Sequence, residues 1–222
     1  MGLDIAARFS ITKLVRIVGS DSVDKSEVRV HKLGSNSWKR IKFIPYNFFT
    51  YGGVIGVLVN GALHWIASRH VEGSEASKVI VSFDIGDEIF HELPLPNGLD
   101  DKMEINVGVL GGGLCLLGNL YKVCVDVWVM KDYGVIESWT KLFTIPHHRT
   151  CIHYLRPIQS FKYGEILFEV RLLKKGNIAL VSYDPNRDEI VKILKIRGCP
   201  GSFSKEAYVG SLVSLKSGKY MQ

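Results

Sequence analysis

The sequence lacks what several classes of protein require. Its four cysteines, Cys115, Cys124, Cys151 and Cys199, show no C-x-x-C spacing, which excludes the common thiol-based zinc and redox motifs and leaves reduced thiols as the default. Cys115 and Cys124 lie in apolar, strand-like runs, where Cys behaves as a small buried hydrophobe. No run of basic residues exceeds two, Lys39-Arg40 and Lys174-Lys175 being isolated pairs. The net charge of +6, from 28 basic and 22 acidic residues, therefore reads as scattered solvated lysines rather than a nucleic-acid footprint. The longest apolar stretch, 107–120, is broken by Gly108, Gly111, Gly112, Gly113 and Gly118 and falls short of the ~20 residues a membrane helix needs. "MGLDIAARFSITKLVRIV" has no basic start followed by an uninterrupted apolar segment, so no secretory leader is read there. Ala6, where Ser or Thr is expected, argues against myristoylation of Gly2. The expected location is cytoplasm and/or nucleus, with no nucleic acid and no membrane among the partners.

Helical periodicity is missing too, and strand signals fill the chain. "VIGVLV" (54–59), "ALHWIA" (62–67), "KVIVSFDI" (78–85), "YKVCVDVWVM" (121–130) and "GEILFEVRLL" (164–173) are rich in β-branched and aromatic residues and bounded by Gly, Asn and Asp. With 46% hydrophobic residues in 222, the chain can bury a sizeable core, and it reads as a single domain, 1–222.

A period organises the strands. The Gly that opens a strand after a tight turn recurs as Gly61, Gly113 and Gly164, with separations of 52 and 51. "WKRIKFIP" from Trp38, "FHELPLP" from Phe90 and "WTKLFTIP" from Trp139 keep spacings of 52 and 49. A degraded copy, "IVKILKIRG", follows from Ile190 without the aromatic. "SFDI" (82–85) and "SYDP" (182–185) lie two periods apart. About fifty residues carrying four short strands is the size of a kelch-type blade. The expected fold is all-β, a kelch-like β-propeller or partial propeller of four-stranded repeats. The boundaries are a partial blade over 9–45, repeats over 54–96, 105–146 and 152–197, and a last strand over 207–215 that can close the ring beside the first blade.

Catalytic chemistry finds no support. "HHRTCIH" (147–153) holds His147, His148, Cys151 and His153, but adjacent histidines diverge on an extended chain and zinc needs four converging ligands. "GVLGGGLCLLG" (108–118) fits neither dinucleotide nor phosphate-loop spacing; it occupies the place that Asn60-Gly61 holds one repeat earlier. Trp38 and Trp139 share a repeat position and read as packing between blades. Asp84 and Asp184 read as turn organisers, and His64 as a hydrogen-bonded strand residue. No cofactor, metal or catalytic residue is assigned.

The residues "VNGALHW", "VSFDIGDEIFHELPLP", "VDVWVMKDYGVIESWTKLFTI" and "AYVGSLVSL" resemble the F-box-associated interaction domain of plant F-box proteins, over about 15–215. On that resemblance Asn60, Gly61, His64, Trp65, Asp84, Trp128, Tyr133 and Trp139 are family-motif structural residues. The resemblance implies the substrate-recognition region of a Skp–cullin–F-box ubiquitin ligase, which binds a target protein for ubiquitination. The F-box that docks such receptors on a Skp-type adaptor and cullin has no counterpart here. The expectation is therefore a truncated receptor, with those two partners engaged only if an F-box is supplied. The alternatives are a stand-alone protein-binding propeller fragment, a propeller enzyme, or a nucleic-acid binder. On fold analogy, target contacts are expected in loops joining strand d to the next strand a and b to c, at Arg69, His70, Glu72, His147, His148, Arg149 and Tyr154.

Overall fold

The computed structural model describes residues 4–8, 13–19, 25–48, 56–69, 76–147, 152–172 and 178–195, and these form four antiparallel four-stranded sheets. The first holds β1 (Asp4–Arg8), β2 (Lys13–Gly19), β3 (Ser26–Lys32) and β4 (Trp38–Ile44). The second holds β5 (Val57–Val59), β6 (Ala62–Arg69), β7 (Ser77–Asp84) and β8 (Phe90–Leu93). The third holds β9 (Glu104–Leu110), β10 (Gly113–Leu120), β11 (Cys124–Met130) and β12 (Trp139–Pro146), with one short 3₁₀ turn at Ile136–Ser138. The fourth holds β13 (Ile152–Ser160), β14 (Ile166–Leu172), β15 (Ile178–Asp184) and β16 (Glu189–Lys195). Strand order within each sheet follows the chain, as in propeller blades.

The turn chemistry explains the meander. Asn60 and Gly61 take φ of 49° and 76°, and Gly111 and Gly112 take 59° and 82°; two successive positive values are what a type I′ hairpin needs. Asp84 Oδ1 accepts the Asp87 N–H at 2.8 Å and Asp184 Oδ1 the Asn186 N–H at 2.9 Å, so each carboxylate organises the turn into the outer strand. Register makes the repeat concrete. His31 pairs with Trp38, Phe83 with Phe90, Met130 with Trp139 and Tyr183 with Ile190.

Three buried clusters fill the spaces between consecutive sheets. Val15, Ile17, Val28 and Val30 meet Leu63, Trp65, Val81 and Phe83. Val57, Ile66 and Ile80 meet Val107, Leu114, Leu116 and Trp139. Cys115, Leu117, Val125 and Val127 meet Leu155, Phe168, Val170 and Val181. The second and third sheets are thus covered on both faces, which is why their strands read as continuous apolar runs.

Two expectations need correction. The first blade is not a three-stranded partial blade beginning at residue 9: β1 pairs with β2 from Asp4↔Val18 to Arg8↔Leu14 and completes the sheet. "DIAAR" has weak β propensity, so its strand comes from pairing rather than from its own residues. β1 also takes the inner place reserved for 207–215, which lie outside the described residues. Second, Trp38 does not serve as Trp139 does. It is 39% exposed and stacks on His31 of its own sheet at 5.3 Å, on the face turned away from the second sheet.

Inner strands approach closely at one glycine. A Cβ on Gly108 of β9 would lie 2.8 Å from Pro157 Cγ of β13 and 3.0 Å from Cys115 Sγ. Gly108→Val is expected to cost about 1–3 kcal/mol or more through overpacking, read as a lowered urea midpoint with unchanged m-value.

Candidate protein-interaction surface

Because every sheet is a simple meander, its connections divide between two ends. The a–b and c–d turns lie at one end; the b–c and d–a connections lie at the other. At the second end, Arg69 closes β6 and its Nη1 donates to both Glu92 carboxylate oxygens, at 3.0 and 2.9 Å. The Tyr46 hydroxyl donates to the same Glu92 at 2.8 Å. Burial, and then the Glu92 carboxylate, push the Tyr46 phenol up to about 12. Asn119, buried at the end of β10, donates to the carbonyls of Ile152 and His153 at 3.2 and 3.1 Å and so fixes where β13 begins. Lys78 donates to the carbonyls of Asp101 and Met103. Tyr121 and Val123 stand more than half exposed in the turn between β10 and β11, with Lys122 over the Tyr121 ring.

The expected loop residues fall differently from the sequence reading. His70, Glu72, His148 and Arg149 lie outside the described residues. His147 is no exposed loop residue: it is 9% exposed, and its N–H donates to Val123 O at 3.0 Å, prolonging the β12 pairing. Burial pushes its imidazole below the usual range. Tyr154 belongs to β13, half-buried, with the Arg171 guanidinium 5.9 Å from its ring centre. Arg69 is held by Glu92 rather than free. Strand pairing extends further into these segments than their polar composition suggests.

The other end ties neighbouring sheets together. Glu88, at φ 59° in the turn before β8, accepts Lys39 at 2.8 Å and Lys13 at 2.9 Å, and Lys13 also donates to Ile85 O. The two ammonium groups hold the Glu88 carboxyl below its ordinary range. His64, fully buried, places Nδ1 3.3 Å from Val57 O and Nε2 2.7 Å from the Tyr133 hydroxyl of the third sheet. A carbonyl can only accept, so Nδ1 carries the proton and Nε2 accepts from Tyr133. Trp139 Nε1 donates to Pro94 O across the same interface at 2.9 Å. Trp65 meets Phe48 edge-on at 6.0 Å, and Lys141 sits over Trp128 while bonding Asp126.

This arrangement makes a rigid scaffold with shaped ends. Several basic side chains are spent on internal ion pairs: Lys13, Lys39, Arg69 and Lys141. Among the described residues no three His, Cys, Asp or Glu side chains converge in a metal-binding group, and no helix is long and apolar enough to cross a membrane. Sequence reasoning missed Glu88, Glu92 and Asn119. Glu88 finds its lysines 75 and 49 residues away, a pairing with no local signal.

Four meandering four-stranded sheets stacked through apolar faces define a β-propeller-type fold. The chain belongs to the F-box associated beta propeller domain family, whose profile matches residues 5–215. It is 38% identical to F-box protein CPR1 of Arabidopsis thaliana over 201 residues, 84% of this chain and 47% of that protein. A second F-box protein of the same plant is 31% identical over 84% of this chain and 48% of its own length. An F-box/kelch-repeat protein of that plant is 26% identical over 91% of this chain and 52% of its own. The chain spans about half the length of these curated relatives.

Proposed function

We propose that this domain is the target-recognition part of a Skp–cullin–F-box ubiquitin ligase receptor, acting in the cytoplasm or nucleus as a binding module rather than an enzyme. The observation that carries the reading is the family match across 5–215, joined to relatives that are themselves F-box proteins. The structure supports it chemically: the sheets lock one another, and side chains at both ends are held in fixed positions for contact with a protein. Adaptor and cullin engage through an F-box, and target through this domain.

The test is affinity purification from plant cells, with and without an F-box joined to the domain, read by mass spectrometry and by target ubiquitination. The expected result is a protein captured by both forms and ubiquitinated only when adaptor and cullin are captured with it. A captured protein whose ubiquitination never depends on the receptor would instead favour a stand-alone binding module. Capture of nothing above a mock purification would overturn both readings.

A further inference from the structure

The far face of the first sheet breaks the repeat in its chemistry. One row in from the pair that opens the outer strand, three neighbouring strands of each sheet set one residue apiece side by side. In the second sheet the row is Trp65, Val81 and Glu92. In the third it is Leu116, Trp128 and Lys141, and in the fourth Phe168, Val181 and Ile193. The first two members of each row pack into the cluster shared with the preceding sheet. In the first sheet the row is Arg16, Arg29 and Arg40. Like charges directly opposite one another destabilise a sheet, and here three guanidinium groups stand in line. Glu27 is the only carboxylate that the register of β2 to β4 places on this face. Arg29 donates to both its oxygens, at 3.1 and 2.9 Å, while Arg40 comes no nearer than 3.9 Å. By register β1 adds one residue of each sign, Asp4 and Arg8. The side chains of Arg29 and Arg40 are 43% and 66% exposed. This row is unlike its apolar counterparts, and a second anion would relieve it.

The rows on either side bear on what that anion belongs to. Leu14, His31 and Trp38 form one, and Val18, Glu27 and Phe43 the other. A bulge in the β3–β4 pairing lets Arg40 and Phe43, three residues apart, share the face. Trp38 and Phe43 are 39% and 53% exposed. Successive rows lie two residues apart, about 6.5–7 Å, which is also the spacing of side chains i and i+2 in an extended chain. A nucleic-acid strand would need open aromatic faces for its bases, but Trp38 is stacked on His31 and the Arg40 guanidinium lies over the Phe43 ring at 5.8 Å. We propose that this face binds an extended acidic segment of the recognised protein. Its carboxylate sits over the arginine row, where planar guanidinium groups take it in paired hydrogen bonds, and an apolar side chain two residues to each side lies against Trp38 and Phe43. The surface rests on the protein-recognition reading above and names the chemistry of the segment recognised.

The test follows the Trp38 indole N–H and the Arg40 Nε–H by nuclear magnetic resonance in the whole chain. The probes are acetyl-Leu-Thr-Glu-Thr-Leu-amide, its lysine counterpart acetyl-Leu-Thr-Lys-Thr-Leu-amide, and single-stranded deca-thymidylate. Saturable shifts with the glutamate probe are expected, with a dissociation constant of about 1–10 mM for so small a ligand, weakening several-fold from low to physiological salt. Arg40→Gln should weaken binding about two- to fivefold, the scale of an exposed ion pair, and Arg40→Lys should fall between, because it keeps the charge and loses the fork. Arg40→Gln should also leave the melting temperature unchanged or raise it, since it relieves repulsion along the row, whereas loss of a merely structural arginine would lower it. Lys102→Gln, an exposed change of the same charge elsewhere, should leave binding unaltered. No saturable shift, equal affinity of the Arg40→Gln chain, or preference for the lysine probe would overturn the surface. Tighter binding of deca-thymidylate than of the glutamate probe would overturn the protein partner. Nuclear Overhauser contacts from the Trp38 ring to Tyr208 in the free chain would show the chain's own tail on this face and overturn it likewise. In cells, loss of the ubiquitinated target with Arg40→Gln supports the surface. Retention of that target overturns the surface while leaving receptor function intact. Absence of any target for the unaltered chain is a failure of the recognition reading itself, and the proposed surface falls with it.

Discussion

Replacing Trp139 by Ala is expected to cost about 3–5 kcal/mol of folding stability, the range for truncating a buried aromatic. Trp139 is a large buried side chain at the outer edge of the interface between the second and third sheets. It belongs to a cluster with Ile80, Leu114 and Leu116, and its indole N–H satisfies the Pro94 carbonyl. Truncation removes the apolar area, opens a cavity and strands that carbonyl together. Trp139→Phe separates the terms: it keeps most of the ring and loses the hydrogen bond, for about 1 kcal/mol. The measurement is urea unfolding of both variants with a common m-value. A Trp139→Ala cost as small as that of the Phe variant would mean that the interface is not packed around this ring.

The second large effect is a loss of stability in mild acid, driven by His64. Burial pushes its imidazole from 6.5 down to about 4, and the geometry explains why. Nε2 already accepts the Tyr133 proton and Nδ1 already donates to Val57, so a second ring proton destroys the bond to Tyr133 and charges a fully enclosed site. The folded state therefore binds fewer protons than the unfolded chain between those two values. Stability is intact above about pH 6.5 and falls as pH drops towards 4, by on the order of 3 kcal/mol in total. His147, also pushed down by burial, adds to the same window. Glu27 and Glu88, whose carboxyls are held low by Arg29 and by Lys39 with Lys13, lose their contribution only below the ordinary carboxylate range. Denaturation midpoints from pH 7 to 4.5 therefore isolate the histidines, and His64→Gln should flatten most of the slope. A slope unchanged by that substitution would place the proton uptake elsewhere.

Much of this architecture was legible because the repeat writes its own markers. Asn60-Gly61 and Gly111-Gly112 require positive φ, and only a few residue types tolerate it. Asp84 and Asp184 recur because the same turn needs the same acceptor. The missing aromatic at Ile190 was visible in the same way, and Ile190 stands 43% exposed. What stayed hidden depends on distance along the chain. β1 looks unlike a strand until β2 lies beside it, and Glu88 looks like any surface carboxylate until two lysines of another sheet reach it. Trp38 and Trp139 occupy the same register, yet only Trp139 has a preceding sheet against it among the described residues. A repeat predicts equivalence of position, and neighbours decide equivalence of role.

The three apolar clusters, each joining one sheet to the next, have a mechanical meaning. Units that hold chiefly to their neighbours behave as a short one-dimensional array, in which stability is approximately a sum of unit and interface terms. Such an array parts at its weakest joint rather than melting everywhere at once. The joint between the second and third sheets is riveted by Trp139 and by the His64–Tyr133 bond. The joint ahead of the fourth sheet has a small apolar cavity of about 30 Å3. The fourth sheet is held in its turn by Asn106 and Asn119, which donate to carbonyls of β13, so every joint of the array carries side-chain hydrogen bonds as well as an apolar cluster.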